Sequence, residues 1–160
     1  MTGLMTITTA GTAVASGVLG GALFAFSSFV MPALRRLPRR EGLLAMQAIN
    51  EAAPRSLLMV PLLGSALGSA VVGVHAVISG PGEGRSLRVA GALLGLTGFA
   101  VTAAANIPRN NALAALDPSA PGAAARWGAY VTEWTRWNHA RALAAVSSSV
   151  ALAASLRGGG

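Results

Sequence analysis

From Met1 to Leu34 the chain carries no charge, and its apolar part runs from about residue 7 to 34. A helix rising 1.5 Å per residue crosses about 30 Å of hydrocarbon in about 20 residues, so this run predicts a first membrane-spanning helix. Ser56 to Gly82 is again uncharged, and its core, 57–78, predicts a second span that stops at the Ser-Gly-Pro-Gly turn of residues 79–82. A third, shorter span is expected over 89–107, ended by Pro108, which lacks an N–H and disfavours helix in the residue before it. The fourth is expected over 137–156; Asn138, His139 and Arg141 sit in its first turn, so Arg141 must snorkel or find a partner. None of these runs shows the polar face of a helix in a soluble protein, and the first lacks the basic start and the brevity of a signal peptide.

Composition changes the picture in one direction only. Of 160 residues 53% are hydrophobic and 11% are charged, against roughly a quarter charged in an average soluble domain. Too few charges are present to coat a water-facing surface, and the lipid bilayer is the expected partner. There is no cysteine, which removes a disulfide framework, a zinc-thiolate site and a cysteine nucleophile together. The net charge of +7 is carried by 12 arginines with no lysine. Arg35, Arg36, Arg39, Arg40 and Arg55 lie between spans one and two, and Arg109, Arg126, Arg136 and Arg141 lie between three and four or at the start of four. Only Arg85, Arg88 and Arg157 fall on the other side. By the positive-inside rule this predicts a multi-pass protein of the cell membrane with both termini outside. It also speaks against a nucleic-acid partner, because the arginines mark topology rather than clustering with stacking aromatics.

The expected fold class is therefore all-α: an integral-membrane bundle of four transmembrane helices, residues 1–160 forming one membrane domain, with short amphipathic helices in the cytoplasmic connections. Residues 42–53 read as one of those helices, carrying Leu43, Met46, Gln47 and Asn50 along one side, either packed on protein or lying on headgroups. Gly17 with Gly21, Gly64 with Gly68 and Gly91 with Gly95 form G-x-x-x-G pairs, which allow close helix contact within the chain or a homo-oligomer.

Candidate chemistry concentrates between Asn106 and Arg141. Asn106 and Asn110 are one turn apart. Trp127, Tyr130, Trp134, Asn138 and Arg141 then recur every three to four residues, one stripe of a helix, and Trp137 completes a set of all the tryptophans within eleven residues. Such rings form either an interfacial aromatic belt or the walls of a pocket in which Asn106, Asn110, Asn138 and Arg141 turn polar groups toward a flat hydrophobic ligand. No metal is expected: His75 and His139 are separated by about 28 Å along the helices, and no ligand spacing joins His139 to Glu133. His75, alone on an apolar span, reads as a packing residue.

The run Asn106-x-Pro-x-Asn-Asn-x-Leu, with Trp127, Tyr130 and Trp134-Thr-Arg-Trp-Asn-His-Ala-Arg141, resembles the signature of the small four-span membrane proteins of the anthrone oxygenase-like (DUF1772) family. Phe29-Val-Met-Pro-Ala-Leu34, Gln47 and Asn50 are similar to that family as well. The resemblance implies oxidation of an anthrone-like polycyclic aromatic to a quinone, with O₂ as co-substrate and without cofactor. On that footing His139 is the first candidate base and Glu133 the second, with Arg141, Asn138 and Asn106 holding a phenolate or enolate oxygen. His139 lies about 100° from Asn138 around the helix and so partly off the stripe. The other class open to such a chain is a non-enzymatic lipid- or lipophile-binding or accessory membrane protein.

Overall fold

The computed structural model describes residues 3–157; the terminal residues of the expected 1–160 domain lie outside the described residues. Helix α1 (Gly3–Ala25) passes through a π-helical turn (Phe26–Val30) directly into α2 (Met31–Arg36), so the first apolar run is one continuous helical rod. Its hydroxyls do not interrupt it, because Thr8, Thr9 and Thr12 donate to the carbonyl four residues earlier. After the extended residue Leu37, Pro38 opens α3 (Arg39–Ala52), and a single 3₁₀ turn (Ala53–Arg55) leads to α4 (Met59–Ile78). Gly80 and Gly84, both at positive φ, turn the chain into α5 (Arg85–Val101). A second π turn (Thr102–Asn106) joins α5 to α6 (Ile107–Ala114), and α7 (Ala123–Ser155) follows.

The described residues contain helices and no strand, and three rods, Gly3–Arg36, Met59–Ile78 and Arg85–Ala114, are long and apolar enough to cross a membrane. The protein is an all-α membrane protein. Pro108 does not end the third rod as expected. It sits two residues after a π turn, as Pro32 does after the other one. In each π turn the N–H just before the proline, that of Met31 or Ile107, bonds five residues back to Phe26 or Thr102. That shift of register lets a residue without an N–H enter a helix that continues beyond it. The last rod also begins earlier than expected: α7 takes in the whole aromatic stripe, in one helix of 33 residues.

Helices α1, α4, α5 and α7 pack side by side, α7 and α4 each lying against both α1 and α5. Small residues set the spacing. A Cβ on Gly91 would meet Leu152 Cγ at 2.7 Å, one on Gly95 would overlap Ser69 Oγ, and one on Gly68 would overlap Thr12. Ser148 and Ser149 of α7 donate across the interface to the Gly91 and Ala13 carbonyls, at 2.7 and 2.8 Å. The G-x-x-x-G pairs are thus spent largely inside the chain; of the six glycines, Gly21 alone faces open space. Outward, Leu4, Val14, Val18, Leu67, Val71 and Leu143 are exposed along the rods, an apolar surface of the kind that lipid covers.

At the arginine-rich end, α2, α3, α6 and the first half of α7 close over a separate core of Met31, Leu43, Met46, Leu113, Trp127 and Trp134. Here α3 lies on protein: Leu43 and Met46 are buried, and Gln47 Nε2 donates to the carbonyls of Leu113 and Leu116, both at 2.9 Å, tying α3 to the end of α6.

Candidate functional site

The aromatic stripe of α7 turns inward. Trp127 stacks on Tyr130 (centroids 5.8 Å apart) and Tyr130 on Trp134 (6.3 Å), with Phe26 of the first π turn against Trp134. All three stripe rings are buried, which is core packing and not an interfacial belt. Their polar atoms converge on Asn110, whose Oδ1 accepts from the Tyr130 hydroxyl at 3.0 Å and from Trp134 Nε1 at 2.8 Å; Asn50 Nδ2 of α3 donates to the same hydroxyl at 3.4 Å. Asn106 Nδ2 reaches the Trp134 carbonyl at 3.4 Å. Asn110 thus ties Tyr130 to Trp134, and Trp127 adds a third ring to the stack.

Burial raises the Tyr130 phenol well above its ordinary range, against smaller opposite effects of Asn50 and of the Arg141 charge. Because the unfolded chain titrates near pH 10, the neutral phenol contributes its full stability below that pH and loses it as pH rises further. The thermal midpoint should therefore fall more steeply above pH 10 in the wild type than in Tyr130→Phe; parallel pH profiles from pH 8 to 11 would contradict the burial of this hydroxyl.

One turn further on, Asn138, fully buried, joins α7 to the first rod: its Nδ2 donates to the Leu23 carbonyl at 2.7 Å and to Ser27 Oγ at 2.6 Å. Its Oδ1 accepts two bonds from Arg141, from Nε at 2.9 Å and from Nη2 at 2.8 Å. Arg141 Nη1 reaches Thr102 Oγ1 of the second π turn at 3.3 Å, and the guanidinium lies 5.4 Å from the centroid of Trp134. The charge is held by neutral oxygens and a π face, with no carboxylate in the set. The network spans α1, α5 and α7 where both π turns occur, and leaves Asn106 Oδ1 buried without a partner.

The remaining expected residues point elsewhere. Trp137 is 41% exposed, with the Arg109 guanidinium 5.9 Å from its centroid, and so lies at the surface rather than in the site. Glu133 is exposed and pairs with Arg109 at 2.9 Å. His139 is also exposed and off the stripe, as its 100° offset requires. It does not face Asn106 or Asn110.

What His139 does face is a cleft of about 530 Å³ between the α1–α2 rod and α7. Met31, Pro32 and Val131 give it apolar walls; Arg35, Arg36 and Arg136 give it positive charge. Ser27, Thr132 and Thr135 add hydroxyls, and Thr135 Oγ1 is buried there with no partner. No carboxylate lines it. Ser27, which accepts from Asn138, connects this cleft to the Asn138–Arg141 network behind it. Arg35, Arg36 and Arg136 were expected only as topology markers, and Ser27 lay hidden in the uncharged first run. A cleft of this size falls within the range that encloses a drug-sized molecule, with apolar walls and a few convergent polar groups. Among the described residues no three His, Asp or Glu side chains gather as a metal set would.

No curated protein and no solved structure matches the chain. The family model described as anthrone oxygenase matches residues 55–151, from the start of α4 nearly to the end of α7, and the protein belongs to that family.

Proposed function

We propose that the protein is a membrane-embedded, cofactor-independent oxygenase of anthrone-like polycyclic aromatics, and that the cleft between the α1–α2 rod and α7 is where it works. The observation that carries this reading is the convergence in one cleft of room for a tricyclic ring system, an imidazole and three arginines with no acid to neutralise them. An anthrone has an acidic benzylic CH₂ group flanked by its rings and conjugated to a ketone. His139 takes one proton, and Arg35, Arg36 and Arg136 stabilise the enolate oxygen. The enolate carbon gives its electrons to O₂ and forms a C–O bond as a peroxide. Loss of the second benzylic proton and cleavage of the O–O bond leave a ketone, so CH₂ plus O₂ becomes C=O plus water. Asn138 and Arg141 act as positioning residues, holding Ser27 and the cleft wall; Glu133 has no part in this scheme.

The same reading includes four spans, the fourth being residues 137–156. Leu143, Val146 and Val150 along the second half of α7 are exposed, as a lipid-facing helix requires. The arginine-rich end then faces the cytoplasm, both termini lie outside, and the whole chain is one domain of the cell membrane. With no cysteine in the chain, Gly82→Cys should react with an impermeant thiol reagent on intact cells and Arg39→Cys should not. The reverse pattern would invert the orientation.

The arginine rim at headgroup depth also favours a second reading, an anionic-lipid-binding protein without catalysis. Purified protein, treated with a chelator and incubated with an anthrone and O₂, separates the two. Quinone absorbance rising well above the buffer rate supports the oxygenase. Buffer-level rates across several anthrones, with stabilisation by anionic lipid, would replace it with the lipid reading.

A further inference from the structure

At the end of the molecule opposite the catalytic cleft, the turn between α4 and α5 meets the start of α1 and the end of α7. A second cleft of about 260 Å³ opens there, lined by His75, Ser79, Glu83, Arg88 and Ser155 among others. Arg88 is 7% exposed, the one charged residue that is buried among the described residues. Its Nη1 donates to the Glu83 carbonyl at 3.1 Å. Its Nε is shielded from solvent and has no partner. The ion pairs among the described residues, Arg55 with Glu51 and Arg109 with Glu133, do not involve it.

A guanidinium takes two oxygens of one oxyanion at once. A buried cation with no counter-charge is costly, and an anion seated on it offsets that cost. Two neighbours add to the attraction. Helix α5 begins at Arg85 behind Gly84, which has no side chain to cap it, so the positive end of its dipole lies at the turn. His75 and Ser79 Oγ, 3.2 Å apart, stand on the facing wall. Glu83 supplies the one negative charge of the lining. The cleft lies at the ends of α4 and α5, at the depth of lipid phosphates if these rods span the bilayer.

We propose that this cleft binds a phosphate-class oxyanion on the guanidinium of Arg88, whether free phosphate or the phosphate of an anionic lipid headgroup. The site is separate from the catalytic cleft and does not depend on the oxygenase reading. The test is thermal unfolding of the purified full chain. One arm adds inorganic phosphate in detergent at constant ionic strength against chloride; the other compares phosphatidylglycerol-containing with phosphatidylcholine-only nanodiscs. We expect a rise in midpoint of about 5 °C at saturation, with apparent affinity lowered at least tenfold in Arg88→Lys, which keeps the charge but loses the fork, and unchanged in Arg55→Gln. Should Arg88→Lys not fold, His75→Gln is the second variant, expected to weaken the response severalfold. A response to inorganic phosphate assigns a soluble oxyanion, and one confined to phosphatidylglycerol assigns a headgroup. No response on either arm, a response equal in the Arg88 or His75 variant and wild type, or one abolished by Arg55→Gln would overturn the proposal.

Discussion

Arg141→Met is expected to lower the unfolding free energy by about 2–4 kcal/mol, the combined cost of two lost charge-assisted hydrogen bonds and of a buried amide oxygen left without donors. The oxygen is Oδ1 of Asn138, a fully buried residue whose donors are Arg141 Nε and Nη2. A buried charge is itself expensive, so removing Arg141 together with its dependent acceptor should cost much less than the two changes separately. The double variant Asn138→Leu, Arg141→Met should therefore recover about 1–3 kcal/mol relative to the sum of the singles. Thermal or denaturant unfolding of all four proteins in one detergent measures that coupling. Strict additivity would mean that the two side chains do not act as a unit.

The second large effect lies in the packing of the rods. In Gly95→Leu the new Cβ would overlap Ser69 Oγ and approach Ser69 Cβ at 3.1 Å and Ser148 Oγ at 3.2 Å. Helices α4, α5 and α7 meet there, and no flexible side-chain end can give way for the whole leucine. Overpacking a tight interior ordinarily costs about 1–3 kcal/mol; here α5 must separate from both neighbours, so the expected cost is at the top of that range or above it. Gly21→Leu is the matched control, since its Cβ meets nothing within 4 Å, and it should not destabilise the protein, because leucine is the better helix former by under about 1 kcal/mol. Similar losses in the two variants, read as thermal midpoints, would mean that these helices do not pack as described. A change of oligomeric state in Gly21→Leu alone would point instead to a contact between copies at that face.

Much of the architecture was legible because apolar run length and arginine placement are strong signals in a chain with so few charges. The end of the third rod was misread for a physical reason. A proline usually stops a helix, but a π turn two residues before Pro108 shifts the hydrogen-bond register and lets α6 continue. The repeat of that device at Pro32 was present in the sequence, yet nothing in the residue types around it marks a π turn. The stripe Trp127, Tyr130, Trp134, Asn138, Arg141 was read correctly as one helical face. A row of rings with polar tips looks alike whether its polar partners belong to a ligand or, as with Asn110 and Asn50, to neighbouring helices. His139 was named as a base while its offset from the stripe counted against it. The offset turns it toward the cleft that Arg35, Arg36 and Arg136 line. That assembly joins residues about a hundred positions apart, which no local pattern could reveal.

His139 and the arginines of this cleft are proposed to deliver an aromatic enolate to O₂. Oxygen uptake and quinone formation, followed together on chelated protein with an anthrone, test it most directly in wild type, His139→Gln and Glu133→Gln. One O₂ consumed per quinone is expected in the wild type, with a rate about 10²–10⁴-fold lower in His139→Gln and a rate in Glu133→Gln close to that of the wild type. Wild-type turnover at the buffer rate, or a loss in Glu133→Gln as large as that in His139→Gln, would refute this assignment.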